Sequence, residues 1–303
     1  MAASGATIPL TRIDRRAARR RFDRAARGYD AAAKLEAEIG TRMLERLDYV
    51  RIAPERILDA GAGPAPQAAA LARRYPAAGF YAVDFSLAML RVARARKGLL
   101  ARLRGARRPL AVCADLERLP LASASFGLVW SNMALHWLEE PLEALRELSR
   151  VLAPDGLLML STLGPDSLRE LRAAAGAGRV HSFLDMHDLG DRIVAAGFSA
   201  PVIDMERITV TYPQAAALFE ELRATGQTSS LAARSRGLAG RGFRARVGRA
   251  LGESTRGPLH ASERSERVAM TFEIVYAHAW RGRPARRDGV SVVNLVPAQR
   301  TRR

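Results

Sequence analysis

One cysteine, Cys113, stands in the whole chain of 303 residues. No internal disulfide or cysteine-based metal cluster can form, and nothing requires an oxidising compartment. As a strand residue Cys113 reads as buried and inert. Lysine is nearly absent too: Lys34 and Lys97 are the only two, so the formal charge of +17 rests almost wholly on arginine. A GC-rich genome would supply part of that excess without any function, but charge of this size also asks for an acidic partner. Aromatic residues make up only 6% and are not interleaved with the basic clusters. The stacking platforms of single-stranded nucleic-acid binding are therefore missing, and no nucleic-acid partner is expected. No run approaches the roughly 20 apolar residues of a membrane span. The first thirty residues lack the apolar core of a secretory signal, and Asp14, Asp23 and Asp30 argue against an organelle transit segment. The expectation is a cytoplasmic protein with no membrane partner and no metal.

What is present is periodic. Arg12 to Tyr29 reads as a basic helix or arm, and Ala31 to Asp48 as an amphipathic helix with Leu35, Ile39, Met43, Leu44 and Leu47 on one face. Short apolar runs follow at 56–59, 79–84, 111–114, 126–130 and 157–160, separated by helix-like stretches starting near Gln67, Ser86 and Pro141. Strands alternating with helices predict a parallel sheet covered on both faces. Beyond Thr162, helices are expected over 166–175 and 186–196 and strands over 202–211 and 273–280. Pro213 to Glu266 reads as a helical insertion carrying Arg234, Arg236, Arg241, Arg244, Arg246 and Arg249. The predicted organisation is an N-terminal helical arm (1–48), a core (49–212), a basic helical lid (213–266), a returning core strand (267–281) and a basic tail (282–303) in which Val290 to Val296 could add a strand.

The run Ile57-Leu58-Asp59-Ala60-Gly61-Ala62-Gly63-Pro64 places two glycines just past a strand, where backbone must approach a ligand closely. A dinucleotide site is the obvious rival. Its phosphate cradle needs free N–H groups and a third glycine, but Pro66 stands at that position, and Pro64 and Pro66 each remove a donor. The loop suits a ligand with an amino-acid end and a sulfonium, whose charge Asp59 can offset. Asp84 closes the second strand, where a carboxylate can accept ribose hydroxyls, with Phe85 and Met89 beside the adenine. Asp115 and Leu116 follow the third strand, where they can meet the adenine amino group and a ring nitrogen. Asn132 follows the fourth, at the mouth of the same crevice.

These residues resemble the class I S-adenosylmethionine methyltransferases, and the likeness extends through 115–120, 125–129 and the Leu152-Ala153-Pro154-Asp155-Gly156 turn. It implies an α/β fold with a Rossmann-like, doubly wound, seven-stranded and mostly parallel sheet. Outside that core, Phe22-Asp23-Arg24-Ala25-Ala26 with Tyr29-Asp30, Ser131 to Trp137, His181 to Gly190 and Thr271 to Tyr276 look like the malonyl-[acyl-carrier protein] O-methyltransferase family of biotin synthesis. The resemblance implies S-adenosylmethionine as co-substrate and, as partner, an acidic acyl carrier protein bearing a malonyl group. The sequence departs from the family at Ala62 and Ala65, where cysteine and glycine are usual. A respiratory-complex assembly group, some of whose members hydroxylate, shares the core and the stretch from Thr211 to Ser229, and an RNA methyltransferase is the third reading.

Methylation of a carboxylate requires alignment more than acid–base chemistry. A malonyl carboxyl, with a pKa of roughly 3–4, is already ionised at neutral pH. For binding it we expect Tyr29 and Arg24 from the arm, Thr162 after the fifth strand, and His181 or Phe183. His136-Trp137 is expected to shape the donor pocket.

Overall fold

The computed structural model describes residues 12–95, 109–232, 241–254 and 267–282. Seven strands form one sheet: β1 (Arg56–Ala60), β2 (Gly79–Asp84), β3 (Leu110–Cys113), β4 (Phe126–Asn132), β5 (Leu152–Leu163), β6 (Phe198–Tyr212) and β7 (Val268–Arg281). Their spatial order is β3-β2-β1-β4-β5-β7-β6. The pairs from β3 across to β5 are all parallel, and β7 alone runs antiparallel, between β5 and β6. The order reverses direction between β1 and β4, which opens a crevice beyond their carboxyl ends. Ile57, Leu58, Leu128 and Leu157 to Leu160 are buried, as befits strands covered on both sides.

The arm is helical as expected, in three pieces: α1 (Arg15–Ala25), α2 (Tyr29–Ala32) and α3 (Lys34–Arg46). Asp14 starts α1 by accepting the Ala17 N–H at 2.9 Å. Ile39, Met43 and Leu47, four residues apart, bring α3 and the turn after it into the core. Among the described residues the remaining helices are α4 (Ala68–Arg74), α5 (Leu87–Ala95), α6 (Leu142–Val151), α7 (Arg169–Ala175), α8 (Met186–Ala195), α9 (Ala215–Ala224) and α10 (Arg241–Ser254). Ser86 caps α5, its Oγ accepting the Met89 N–H at 3.2 Å.

Several expectations shift. α7 starts at Arg169 rather than 166, because Ser167 turns back on Gly164 and Leu168 sits in the left-handed region at φ 56°. β6 and β7 extend well past their predicted ends, since they pair from Phe198–Arg281 to Tyr212–Val268 as a long antiparallel ribbon. Cys113 is exposed, not buried, because β3 is an edge strand. Arg234, Arg236, the stretch 290–296 and the tail beyond 282 lie outside the described residues. No helix among the described residues is long and apolar enough to cross a membrane.

Candidate active site

The carboxyl ends of β1, β2 and β4, with the turn after β3, surround a cleft of about 1030 Å³, counted to its open mouth. Its floor is the loop after β1. Gly61, Gly63 and Ala65 all hold left-handed backbone, at φ 74°, 52° and 52°. Gly61 is doubly constrained, since a Cβ there would lie 2.3 Å from the Ala134 Cβ. Ala65 therefore takes the conformation that glycine favours, and the loop does not shift to avoid it. The N–H groups of Gly61 and Ala62 are both held by the Val83 carbonyl, that of Gly63 by Asp84, and that of Ala65 by the Ala62 carbonyl. With Pro64 and Pro66 lacking donors, the loop from 61 to 66 offers no free N–H to a phosphate.

The acids gather above this loop. Asp84 accepts the Gly63 N–H at 2.8 Å on one oxygen and the Ser86 N–H at 2.7 Å on the other. Burial raises its carboxyl to about 6 against the pull of those two bonds. Burial, reinforced by the Asp84 charge, pushes Asp59 up to about 8. Two enclosed carboxyls at the end of adjacent strands are poised to ionise when a cation arrives.

Asp115, Leu116, Phe85 and Met89 line the neighbouring part of the cleft, as predicted. The arm covers it. Arg15 reaches Asp115 at 3.0 Å and Glu117 at 2.5 Å, and Ser86 Oγ donates to Asp23 at 2.6 Å. Phe22 packs edge-on against Phe85 and Trp137, at 5.8 and 4.9 Å between centroids.

The residues expected to bind the acceptor separate. Tyr29 lines the cleft, and burial first, then the nearby Glu36 and Asp84 charges, raises its phenol so that it stays protonated. Gln227 bonds to it and donates to Glu36. Arg24 does not enter the cleft. α1 buries the face bearing Ala18, Phe22 and Ala25, which turns Arg24 to solvent, where its Nε donates to the Arg20 carbonyl at 3.0 Å. Thr162 is buried on the opposite face of β5 from Ser161 and meets a small cavity with Leu135 and Phe183 instead. His181 lies in a separate cavity beyond Trp137, its Nε2 accepting the Ser230 N–H at 3.0 Å. Burial, then Arg21, lowers it to about 4, so it is neutral at physiological pH.

Asn132 does line the cleft, but its amide is engaged by the protein: Nδ2 donates to the Glu36 carbonyl at 2.9 Å and Oδ1 accepts from Ser161 at 2.8 Å. Its clearest task is to lock α3 onto β4 and β5. Residues missed from the sequence are Arg15, Phe22, Glu36 and Gln67. Glu36 had a signal, an acid on the apolar face of α3 that carries Ile39 and Met43. Gln67, just ahead of α4, packs where a side chain on Gly40 would collide with it at 2.0 Å.

Known proteins align with this arrangement. The family described as "Methyltransferase domain" matches residues 58–160, the part that holds the cleft loop and all or most of strands β1 to β5. The malonyl-[acyl-carrier protein] O-methyltransferase of Methylovorus sp. is 47% identical, over 94% of this chain and 96% of its own. That of Laribacter hongkongensis is 46% identical over the same shares. The chain belongs to the malonyl-[acyl-carrier protein] O-methyltransferase family. It is thus an enzyme, a methyltransferase, and its fold agrees. The crystal structure of the YcgJ protein from Bacillus subtilis superposes with a TM-score of 0.55, at 17% identity, over 80% of this chain and all of that one. The lining of the cleft is compatible with the family's methyl donor, S-adenosylmethionine: two desolvated carboxyls, the apolar Phe85 and Met89, and a floor without phosphate donors.

Proposed function

We propose that this chain methylates the free carboxylate of a malonyl group carried on an acyl carrier protein, at the start of pimeloyl and biotin synthesis. Bound S-adenosylmethionine supplies an activated methyl: the new O–CH₃ bond forms as the S–CH₃ bond breaks, and sulfur keeps the electron pair. The chain's own residues need to align, enclose and leave the nucleophile free.

The observation that carries the donor is the pair Asp59 and Asp84, desolvated above a loop whose N–H groups are all engaged. Such a site rejects phosphate and rewards a cation. The acceptor is supported by the relatives, which carry the malonyl name over nearly their whole length. They favour it over respiratory-complex assembly or RNA methylation. The acceptor side is consistent with an ionised carboxylate. Tyr29 stays a phenol and serves as a neutral donor, which orients an oxygen without the tight ion pair that would dull it. Among the described residues lining the cleft, the single arginine is Arg15, and it is held by Asp115 and Glu117.

The carrier protein is proposed to land on the basic exterior. Arg16, Arg19, Arg20, Arg24 and Arg27 are exposed along the arm, and Arg244, Arg246 and Arg249 on α10. The arm and the described parts of the insertion, 213–232 and 241–254, are proposed to act together as the cover of the site. Incubation with labelled S-adenosylmethionine and malonyl carrier protein tests the reading: a base-labile methyl ester is expected. Donor binding without ester would refute the acceptor, and no donor binding would refute the whole proposal.

A further inference from the structure

The far side of Trp137 holds a second cavity of about 650 Å³, counted to its mouth, and the Trp137 indole lines both spaces. Its walls are mostly apolar, with Leu163, Leu168, Leu222 and Phe183 among them. Yet it concentrates an unusual polar feature. Among the described residues three buried side-chain polar atoms have no hydrogen-bond partner: Trp130 Nε1, His136 Nδ1 and Ser229 Oγ. Trp130 is a core residue of β4, but His136 and Ser229 both line this cavity. Leaving such an atom unsatisfied is costly, so two in one cavity point to groups that a ligand completes.

The kind of ligand follows from the lining. Burial, with His181 beside it, lowers His136 to about 3, and His181 is also neutral, so neither imidazole offers a charge, and the cation of the lining, Arg179, stands at its exposed rim. A hydroxyl and a neutral imidazole among leucines match an uncharged carbonyl on a short carbon chain. The cavity also has a natural opening. Arg179 is the exposed member of its lining, and its guanidinium stacks 4.2 Å above the Phe243 ring of α10. The basic helix thus stands beside the point where the arm of a carrier protein would enter.

We propose that this second cavity receives the thioester end of the acyl group, with His136 and Ser229 donating hydrogen bonds to the thioester carbonyl while the carboxylate reaches past Trp137 toward the methyl donor. This rests on the malonyl reading above and adds the residues that tell a half-thioester from a simple carboxylate. A malonyl thioester has acceptor oxygens at both ends. Tyr29 meets one end in the first cleft, and the pair beyond Trp137 meets the other.

The test uses the full chain, malonyl carrier protein and S-adenosylmethionine, with Ser229→Ala and His136→Phe variants. Each is expected to raise the KM for malonyl carrier protein roughly three- to tenfold, the loss of one neutral hydrogen bond. The kcat and the Kd for S-adenosylmethionine should stay within about twofold, the pattern of lost uniform binding. Ser229→Ala should also melt no lower than the wild type, because it deletes a hydroxyl with no protein partner. If the wild type forms ester while Ser229→Ala keeps the wild-type KM, the cavity is not the thioester site, and the malonyl reading stands. A lowered melting temperature with unchanged KM would overturn it equally, as a packing role. If the wild type itself forms no malonyl methyl ester, both inferences fall together.

Discussion

Arg15 lies 3.0 Å from Asp115, a residue 100 positions away that borders the cofactor cleft. The arm therefore closes over the donor site by touching one of the acids predicted to hold the donor. Both partners are about two-fifths to half exposed, at 41% and 47%, so the pair contributes little to stability.

Its effect should appear in kinetics. Arg15→Gln is expected to leave the melting temperature nearly unchanged while S-adenosylmethionine leaves several-fold faster in stopped-flow displacement. Unchanged release would mean that the arm does not gate the cleft.

Asp59 gives a pH dependence whose sign can be fixed. Its carboxyl rises from 3.8 to about 8 on folding. Between those values the folded, donor-free protein holds a proton that the unfolded chain has lost, so stability falls as pH rises across that window. Ionising Asp59 meanwhile favours the cationic donor. Affinity for S-adenosylmethionine should therefore climb with pH up to about 8, by at most tenfold per unit. Asp59→Asn should flatten both trends and weaken binding at pH 8, read by thermal melts and titration calorimetry.

Ala65, at φ 52°, holds a left-handed conformation that disfavours any side chain. Ala65→Gly is expected to stabilise the protein by a few tenths to about 1 kcal/mol in urea unfolding, with donor affinity preserved. A loss of stability would mean that the loop takes another conformation in solution.

Carrier docking on the basic exterior should be salt-sensitive. Charge reversal at Arg244 and Arg249 is expected to lower kcat/KM for malonyl carrier protein at low ionic strength, with the difference shrinking as salt is raised. Equal rates for the variant and the wild type at all ionic strengths would place docking elsewhere.

The gathering of these acids at one cleft was legible because it is local: strand, turn and acid recur in order at Asp59, Asp84 and Asp115, and each strand end delivers its acid to one edge. Pro64 and Pro66 even foretold the lack of phosphate donors. The acceptor half was not legible, because it depends on which face of an element looks inward. Arg24 and Tyr29 are five residues apart, and only the packing of Phe22 and Ala25 decides that one leaves the site and the other enters it. Thr162 was misplaced by the alternation of a single strand. Gln227 and Ser229, from a segment with no periodic signal, reach the cavities because the arm and His181 hold that segment.

That binding is extensive. Arg21 donates to the Thr228 carbonyl, 207 residues away, and to Ser230 Oγ, while the Asp14 N–H reaches the Ser230 carbonyl at 2.7 Å and Ile13 bridges to Leu231. Contacts this distant in sequence carry a large loop-closure cost and slow folding. On the ribosome, the five parallel strands β1 to β5 that carry the acid-lined crevice are made while the first helix still lacks this anchor, and before β7, which fills the sheet between β5 and β6. The final fastening of the arm waits until residue 231 has been made, so a nascent chain stopped short of that point has the strands of its donor pocket made but the arm not yet fastened over them.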